Sequence, residues 1–431
     1  MKNVLEWLEA TVEKYPDKPA FSDTECSITF RQVYDIARNT GAYLVEQLGV
    51  DRTPVAVFAG RKMVTPAYFL GVVYAGRPYA PIDASLPDKR IEKILENLCP
   101  RAIVADRESL EHVESIVDEL AKAEGFDRPQ IFIAEDISRF EQVACADSNC
   151  KISESAGDAV TDSENDMLAT VHRHMSMTDP LYIIYTSGST GNPKGVMTSH
   201  LSLMTYINAY CDVMHIEESD VLGNQSPLDY IAAIRDIYLP LKTGCSTAII
   251  PKEYFMEPNA LFDYMNDKKV SSVGWSVSAF TILTSLGAFE EVGLKSLRKI
   301  CFSGSVMPCR VLRKWQENLP EAHFVNQYGP TEATASCTYY SVDHTVEDDE
   351  VLPIGRAYDN YRVFLIDEHG NEPAVGEQGE ICVCGPILAL GYYNDPERTA
   401  AAFTLNPLNK AYPERMYRTG DYGRLDEDGI L

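Results

Sequence analysis

What most constrains this chain is the alternation of short apolar runs with helical patterns over its first 135 residues. Val55 to Ala59, Ala102 to Ala105 and Ile131 to Ile133 are apolar runs of strand length. Between and before them the apolar residues recur at helical spacing. Val4, Leu5, Leu8 and Val12 share one face of a helix over residues 3–14, and Val33, Ile36, Ala37 and Leu44 share one face of a helix ending near residue 49. Further helices are expected leading to Gly76, over 88–98 and over about 107–123. Strands separated by helices of this length lie in parallel sheets. A second αβ run begins at Leu181. From about residue 351 the texture changes to short strands with Gly turns, at Arg362–Asp367, Glu380–Cys384 and Met416–Asp421. Residues 136–178 are rich in Asp, Glu and Ser and have no sustained apolar period, which reads as a surface linker. The expected fold is α/β. One αβ subdomain covers residues 1–135, the linker covers 136–178, a second αβ subdomain covers 179–350, and a small β-rich, barrel-like unit covers 351–431.

Charge and composition narrow the function. The chain has 38 Lys and Arg against 64 Asp and Glu, a formal net charge of −26. That argues against a nucleic-acid partner, whose phosphates are neutralised mainly by Lys and Arg. It does not argue against a nucleotide, which needs one locally favourable cradle. No apolar run reaches the roughly 18–20 residues of a membrane span. The N-terminal segment is amphipathic and acidic, unlike a signal peptide, so a cytoplasmic protein is expected. The 11 cysteines sit mostly in apolar surroundings, which suggests buried free thiols. Cys382 and Cys384 fall on one face of a strand and read as core, because no two further metal ligands lie nearby. His172 and His174 flank an Arg in the polar segment and read as solvent-exposed.

The strongest chemical signal follows Leu181-Tyr-Ile-Ile-Tyr185, a buried-strand pattern. It runs into Thr186-Ser-Gly-Ser-Thr-Gly191-Asn-Pro-Lys194-Gly195-Val196. Gly188, Gly191 and Gly195 free the backbone so that amides can approach an anion. Thr186, Ser187, Ser189 and Thr190 add hydroxyl donors, and Lys194 adds a point charge. These are the parts of a polyphosphate cradle, although a flexible Gly/Ser surface loop has the same composition. A Walker loop requires Gly-Lys followed by Ser or Thr, whereas Lys194 here follows Pro193 and precedes a Gly.

TSGSTGNPKGV resembles the phosphate-loop signature of the adenylate-forming superfamily, which comprises acyl-CoA synthetases, luciferases and the adenylation domains of peptide synthetases. Other segments resemble its motifs in the same order. They are ITFRQVYDIA (28–37), YAGRPYAPIDASLPDKRI (74–91), NQYGPTEAT (326–334), LPIGRA (352–357), GEICVCGPILALGYYNDPERTAAAF (379–403) and MYRTGDYGRLDEDG (416–429). The texture is most similar to amino-acid adenylation domains and, among stand-alone enzymes, to D-alanine–carrier-protein ligases. The resemblance implies ATP-dependent activation of a carboxylic acid to an acyl-adenylate with release of pyrophosphate. Transfer to the phosphopantetheine thiol of a carrier protein, or to CoA, would follow. An acyl- or aryl-CoA ligase and a non-catalytic nucleotide-binding module are the alternatives. The chain stops at Leu431, before the hinge that in relatives leads to a small mobile domain carrying a catalytic Lys, so the sequence reads as the large N-terminal part of a longer protein.

The same resemblance implies roles for individual residues. Thr186, Lys194, Thr331 and Glu332 would be catalytic. Thr186, Ser187, Gly188, Ser189, Thr190, Gly191 and Lys194 would hold the phosphates, with Asn326, Gln327 and Gly329 beside them. Tyr328 would lie on the adenine face, Thr331 on the α-phosphate and Asp421 on the ribose hydroxyls, while Glu332 would hold Mg²⁺. The acid substrate would sit among Asp229, Ile231, Arg235, Gly274, Cys301, Ser303, Gln327, Ala335 and Ser336. Here the pattern departs from the family. Relatives that activate amino acids clamp the α-ammonium with an Asp, and in register that position is Ile231. Asp229 lies two residues earlier, and Arg235 falls where relatives line the side-chain pocket. Either Asp229 serves as the clamp, or the substrate lacks an α-amine and brings an anionic group for Arg235. Arg235 could also pair with a neighbouring acid, Asp229 or Asp236. A small polar or anionic acid is the reading adopted.

Overall fold

The computed structural model describes residues 2–140, 160–187 and 191–431. The chain forms two compact units. The first is Met1–His200 with Pro227–Ile249 and Tyr392–Asn394, and the second is Leu201–Ser226 with Ile250–Gly391 and Asp395–Leu431.

In the first unit the apolar runs become a sheet in the order Pro193–Ser199, Pro180–Ser187, Tyr79–Ile82, Val55–Phe58, Ala102–Ala105 and Gln130–Ile133. Every neighbouring pair is parallel except the first, which is an antiparallel hairpin. Helix Asp88–Leu98 shows why the chain folds this way. Ile91, Ile94, Leu95 and Leu98 recur at helical spacing and are all buried, in one cluster with Ile103, Ala105 and Ile183 of the strands. Each such side chain contributes about 1.5–3 kcal/mol on burial. The remaining positions, Lys89, Arg90, Glu92, Lys93 and Glu96, are partly or fully exposed. Helix Phe30–Leu48 starts at a capping box, in which the Thr29 hydroxyl accepts from the Gln32 amide and the Gln32 side chain accepts from the Thr29 amide. It packs closely on helix Thr65–Tyr74. A Cβ on Gly41 would lie 2.6 Å from the Tyr74 Cβ, and one on Gly71 would lie 2.5 Å from the Thr40 Cβ. Pro19–Ser22 pairs in parallel with Ser246–Ile249 and antiparallel with Ser27–Thr29.

The second unit is built on parallel strands Val221–Asn224, Ser272–Ser276, Lys299–Ser303 and His323–Tyr328, extended by antiparallel Thr338–Ser341 and Arg356–Ala357. Its other sheet is antiparallel, in the order Arg362–Ile366, Gly379–Cys384, Arg415–Gly423 and Phe403–Leu405. This corrects the barrel-like expectation. The sheet is open, because its two outer strands do not pair and four strands are too few to curl shut. Cys382 and Cys384 face inward with Ile366 and Met416, as strand alternation requires.

The polar segment 136–178 is more ordered than its composition suggested. It contains helix Asp162–His174, which opens with a capping box between Thr161 and Glu164. Leu168 and Val171 are its buried residues, too few to register as an apolar period. His174 is exposed, but His172 is partly buried and faces Glu6 and Glu9 at 3.9 and 3.7 Å. Residues 141–159 of that segment lie outside the described residues. Eight described cysteines are free thiols and seven of those are buried, while Cys26 is disulfide-bonded, against the expectation of thiols throughout. No group of three or more potential metal ligands occurs among the described residues, and none of their helices is long and apolar enough to cross a membrane.

Candidate functional site

The glycine-rich segment is a strand-to-strand hairpin. Thr186 lies opposite Lys194 and Ser187 opposite Pro193 in its register. A Walker loop runs from a strand into a helix, so the topology agrees with the residue order in excluding one. Thr186 Oγ1 is buried and has no hydrogen-bond partner among the described residues. Lys194 Nζ lies 3.4 Å from the Tyr392 hydroxyl and 5.1 Å from the centre of that ring, a cation–π geometry. Gly188, Ser189 and Thr190 lie outside the described residues. Two neighbours that the sequence did not single out belong to this hairpin's surroundings. The Arg90 guanidinium donates to Ser187 Oγ at 3.1 Å, and Lys93 Nζ donates to Asn192 Oδ1 at 2.9 Å.

In the second unit, Asn326, Gln327 and Tyr328 end strand His323–Tyr328. Ligands of open α/β sheets gather at such carboxyl ends. The Tyr328 hydroxyl donates to Asp421 Oδ2 at 2.6 Å, joining residues 93 apart in sequence. Burial, and then the hydrogen bond to the Asp421 carboxylate, push the Tyr328 hydroxyl well above the usual phenol range, so it stays a donor. Gly329 is required by close approach, since a Cβ there would lie 2.5 Å from the Ser336 Cα. Thr331, Glu332 and Ala333 form a 3₁₀ turn, and Glu332 is 3% exposed. Thr334 and Ala335 then take positive φ, 48° and 74°. Two such residues in a row, one β-branched, hold backbone strain of the kind found at functional sites. Packing maintains it, with Thr334 Oγ1 donating to Ile387 O at 2.7 Å and the Ala389 amide donating to Glu332 O at 2.9 Å.

The residues expected around the acid divide between the units. In the second, Gly274 lies opposite Cys301 on adjacent strands, and Ser303 ends the second of them. Gln327 is buried, donates to the Tyr358 hydroxyl at 2.7 Å and accepts from Ser336 Oγ at 3.5 Å. Cys301 Sγ lies 3.2 Å from the Tyr210 hydroxyl. In the first unit, Ile231 is buried in a 3₁₀ turn, and Arg235, 2% exposed, sits in the first turn of helix Ile234–Thr243. Asp229 is partly buried. Burial first, and then the nearby Asp83 carboxylate, raise its pKa to about 6, against a smaller opposing pull from Arg90. Asp83 and Asp229 line one small cavity with Arg61, of about 30 Å³. That is room for a single water.

Comparisons with known proteins bear on this arrangement. The family model described as AMP-binding enzyme matches residues 8–393. A D-alanine–D-alanyl carrier protein ligase of Bacillus anthracis is 30% identical over 430 residues, which cover 99% of this chain and 77% of the relative. Its counterpart in Bacillus cereus gives the same figures. The crystal structure of the nonribosomal peptide synthetase FmoA3 has a TM-score of 0.81 at 24% identity and covers all of this chain, which spans 42% of that one. The Klebsiella oxytoca NpsA N-terminal subdomain, in complex with 3-hydroxybenzoyl-AMSN, has a TM-score of 0.78 at 20% identity, with 100% of this chain and 98% of that one covered. The two structures speak for the fold, whereas the family model and the Bacillus ligases extend the likeness to the sequence itself. The chain belongs to the AMP-binding enzymes, the family of adenylate-forming ligases.

Proposed function

We propose that this chain activates a small polar or anionic carboxylic acid with ATP and releases pyrophosphate, and that the acyl group is destined for the phosphopantetheine thiol of a carrier protein. The observation that carries the nucleotide half is the Tyr328–Asp421 pair. An aromatic plane for a base and a carboxylate for two ribose hydroxyls are held together by a 2.6 Å hydrogen bond. The family residues fit the rest of the nucleotide. Thr186 Oγ1 is a buried hydroxyl without a partner among the described residues, which suits a phosphate donor. Ser187 and Gly191 follow it, with Gly188, Ser189 and Thr190 between them. Gly329 lets the Ser336 backbone pack against the residue after Tyr328 and so fixes the turn that carries Thr331 and Glu332. Glu332 offers the hard carboxylate oxygen that Mg²⁺ takes, and the ion when bound would neutralise phosphate charge. Thr331 would donate to the α-phosphate, and Lys194 would neutralise the oxygens facing the hairpin. Little covalent work falls to the protein, so positioning and charge neutralisation dominate.

The acid half rests on residue types. Ile231 cannot hold an α-ammonium, which disfavours a neutral α-amino acid such as D-alanine. Arg235 is buried near that position and supplies a guanidinium suited to a second carboxylate or another anionic group. Within the second unit, Gln327, Cys301, Ser303 and Ser336 would offer polar groups to a short acid, and Gly274 and Ala335 would take little room. The carrier-protein acceptor is supported by the activity for which the Bacillus relatives are named. The proposed division of the chain remains an αβ part to residue 135, a connecting segment to 178, an αβ part to 350 and a β-rich part to 431. Trapping the activated acid as a hydroxamate across neutral amino acids, keto acids, hydroxy acids and dicarboxylic acids tests the substrate. The proposal expects an anionic or polar acid to lead, and a clear preference for a neutral α-amino acid would overturn it.

A further inference from the structure

The polyphosphate has to approach a chain of net charge −26, and the hairpin itself offers one cation, Lys194, placed against the Tyr392 ring. A second source of positive charge lies on helix Asp88–Leu98. Lys89, Arg90 and Lys93 line a groove of about 390 Å³ together with Ser187, Gly191 and Pro193 of the hairpin. Their spacing puts the three cations on one side of the helix. Three acids share this helix, Asp88, Glu92 and Glu96, and Asp88 is 3.0 Å from His112 Nε2. Arg90 donates from Nη1 to Ser187 Oγ, yet its Nε is buried with no hydrogen-bond partner among the described residues. A guanidinium presents several donors in a planar fork that matches phosphate oxygens. Lys93 reaches the hairpin beside it, 2.9 Å from Asn192 Oδ1 and 3.5 Å from Gly191 O. Arg90 is also near enough to Asp229 to oppose the rise in that acid's pKa, so its charge is felt within the first unit on both sides.

We propose that Arg90 and Lys93 form the pyrophosphate-side lip of the phosphate hairpin. They bind the β- and γ-phosphates of ATP and then the departing pyrophosphate. The inference rests on the nucleotide reading given above. In the step they serve, a carboxylate oxygen of the acid forms a bond to the α-phosphorus. The bond from that phosphorus to the oxygen bridging to the β-phosphate breaks, and its electron pair leaves on that oxygen. The added charge therefore appears on pyrophosphate, where a neighbouring guanidinium and ammonium stabilise it without taking part in bond-making. Arg90 exchanges its hydroxyl acceptor on Ser187 for phosphate oxygens, and the otherwise unused Nε gains a partner.

The test compares ATP, AMP and inorganic pyrophosphate as calorimetric ligands of the unaltered chain, Arg90→Gln, Arg90→Lys and Lys93→Gln. AMP lacks the two distal phosphates, so its affinity reports folding and the adenine and ribose contacts. AMP affinity is expected to be unchanged throughout. ATP and pyrophosphate affinities should fall at least tenfold in Arg90→Gln and about threefold in Lys93→Gln. Arg90→Lys should recover part of the loss. ATP binding that is unchanged in Arg90→Gln, or AMP and ATP affinities weakened equally, would overturn the inference while leaving the nucleotide reading standing. Failure of the unaltered chain to bind ATP would overturn both. Should Arg90→Gln fail to fold, the exposed Lys93→Gln variant with the same three ligands decides the question.

Discussion

The residues assigned to the nucleotide and those assigned to the acid are held in different ways. Tyr328, Gly329, Glu332 and Asp421 are placed by backbone. They sit at a strand's end, at a contact that leaves no room for a Cβ, in a 3₁₀ turn followed by two residues at positive φ, and on a strand of the open four-stranded sheet. Asp229, Ile231 and Arg235 occupy a loop, a short turn and the first turn of a helix, and their side chains alone carry the chemistry. A change that needs backbone room, as at Gly329, disturbs the sheet edge. A change at the second alters what is bound and leaves the sheet intact. On the proposed assignment, that difference would let the nucleotide residues keep the family's residue types while the clamp position holds an isoleucine.

The contrast can be broken most severely at Asp421. Asp421→Ala removes the acceptor of the Tyr328 hydroxyl and both proposed ribose contacts. It is expected to lower nucleotide affinity by about 2–4 kcal/mol, with little change in melting temperature. Unchanged affinity by calorimetry would remove the ribose assignment. A smaller effect is expected at Gly329, where alanine would drive a Cβ into the Ser336 backbone. Urea unfolding should show a loss of about 1–3 kcal/mol together with weakened nucleotide binding. A variant as stable as the parent would show that this turn is not fixed by close approach.

The smallest effect sharpens the other side of the comparison. Asp229 has a pKa raised from 3.8 to about 6. Between those values the folded state keeps a proton that the unfolded chain has lost. The stabilisation is therefore present below pH 4 and disappears as pH rises to 6. Asp229→Asn, neutral at every pH, should be more stable than the parent at pH 7.5 by about 1–2 kcal/mol, after allowance for partial exposure. At pH 4 the two should match. Equal stability at both pH values would show that Asp229 is not held against burial and Asp83.

Much of this was readable from particular residues. Ile91, Ile94, Leu95 and Leu98 define their helix because one face is uniformly apolar, and the order Pro193-Lys194-Gly195 ruled out a Walker loop before the hairpin did. What escaped depends on contacts between distant segments. No local pattern joins Tyr328 to Asp421 or points Arg90 at Ser187. Helix Asp162–His174 buries only Leu168 and Val171, so its period is lost in polar residues. Strand patterns in the last 80 or so residues mark strands but not closure, which depends on strand number and tilt. The positive φ values at Thr334 and Ala335 run against residue preference, and a tertiary clamp from Ile387 and Ala389 imposes them.

The most direct measurement is calorimetric binding of hydrolysis-resistant acyl-adenylate analogues, built on a panel of acids, to the unaltered chain and Arg235→Ala. The analogue of an acid that carries a second polar or anionic group should bind most tightly, and Arg235→Ala should lose that preference while still binding AMP. Failure of every analogue to bind, or an equal preference of both proteins for the analogue of a neutral α-amino acid, would contradict this account.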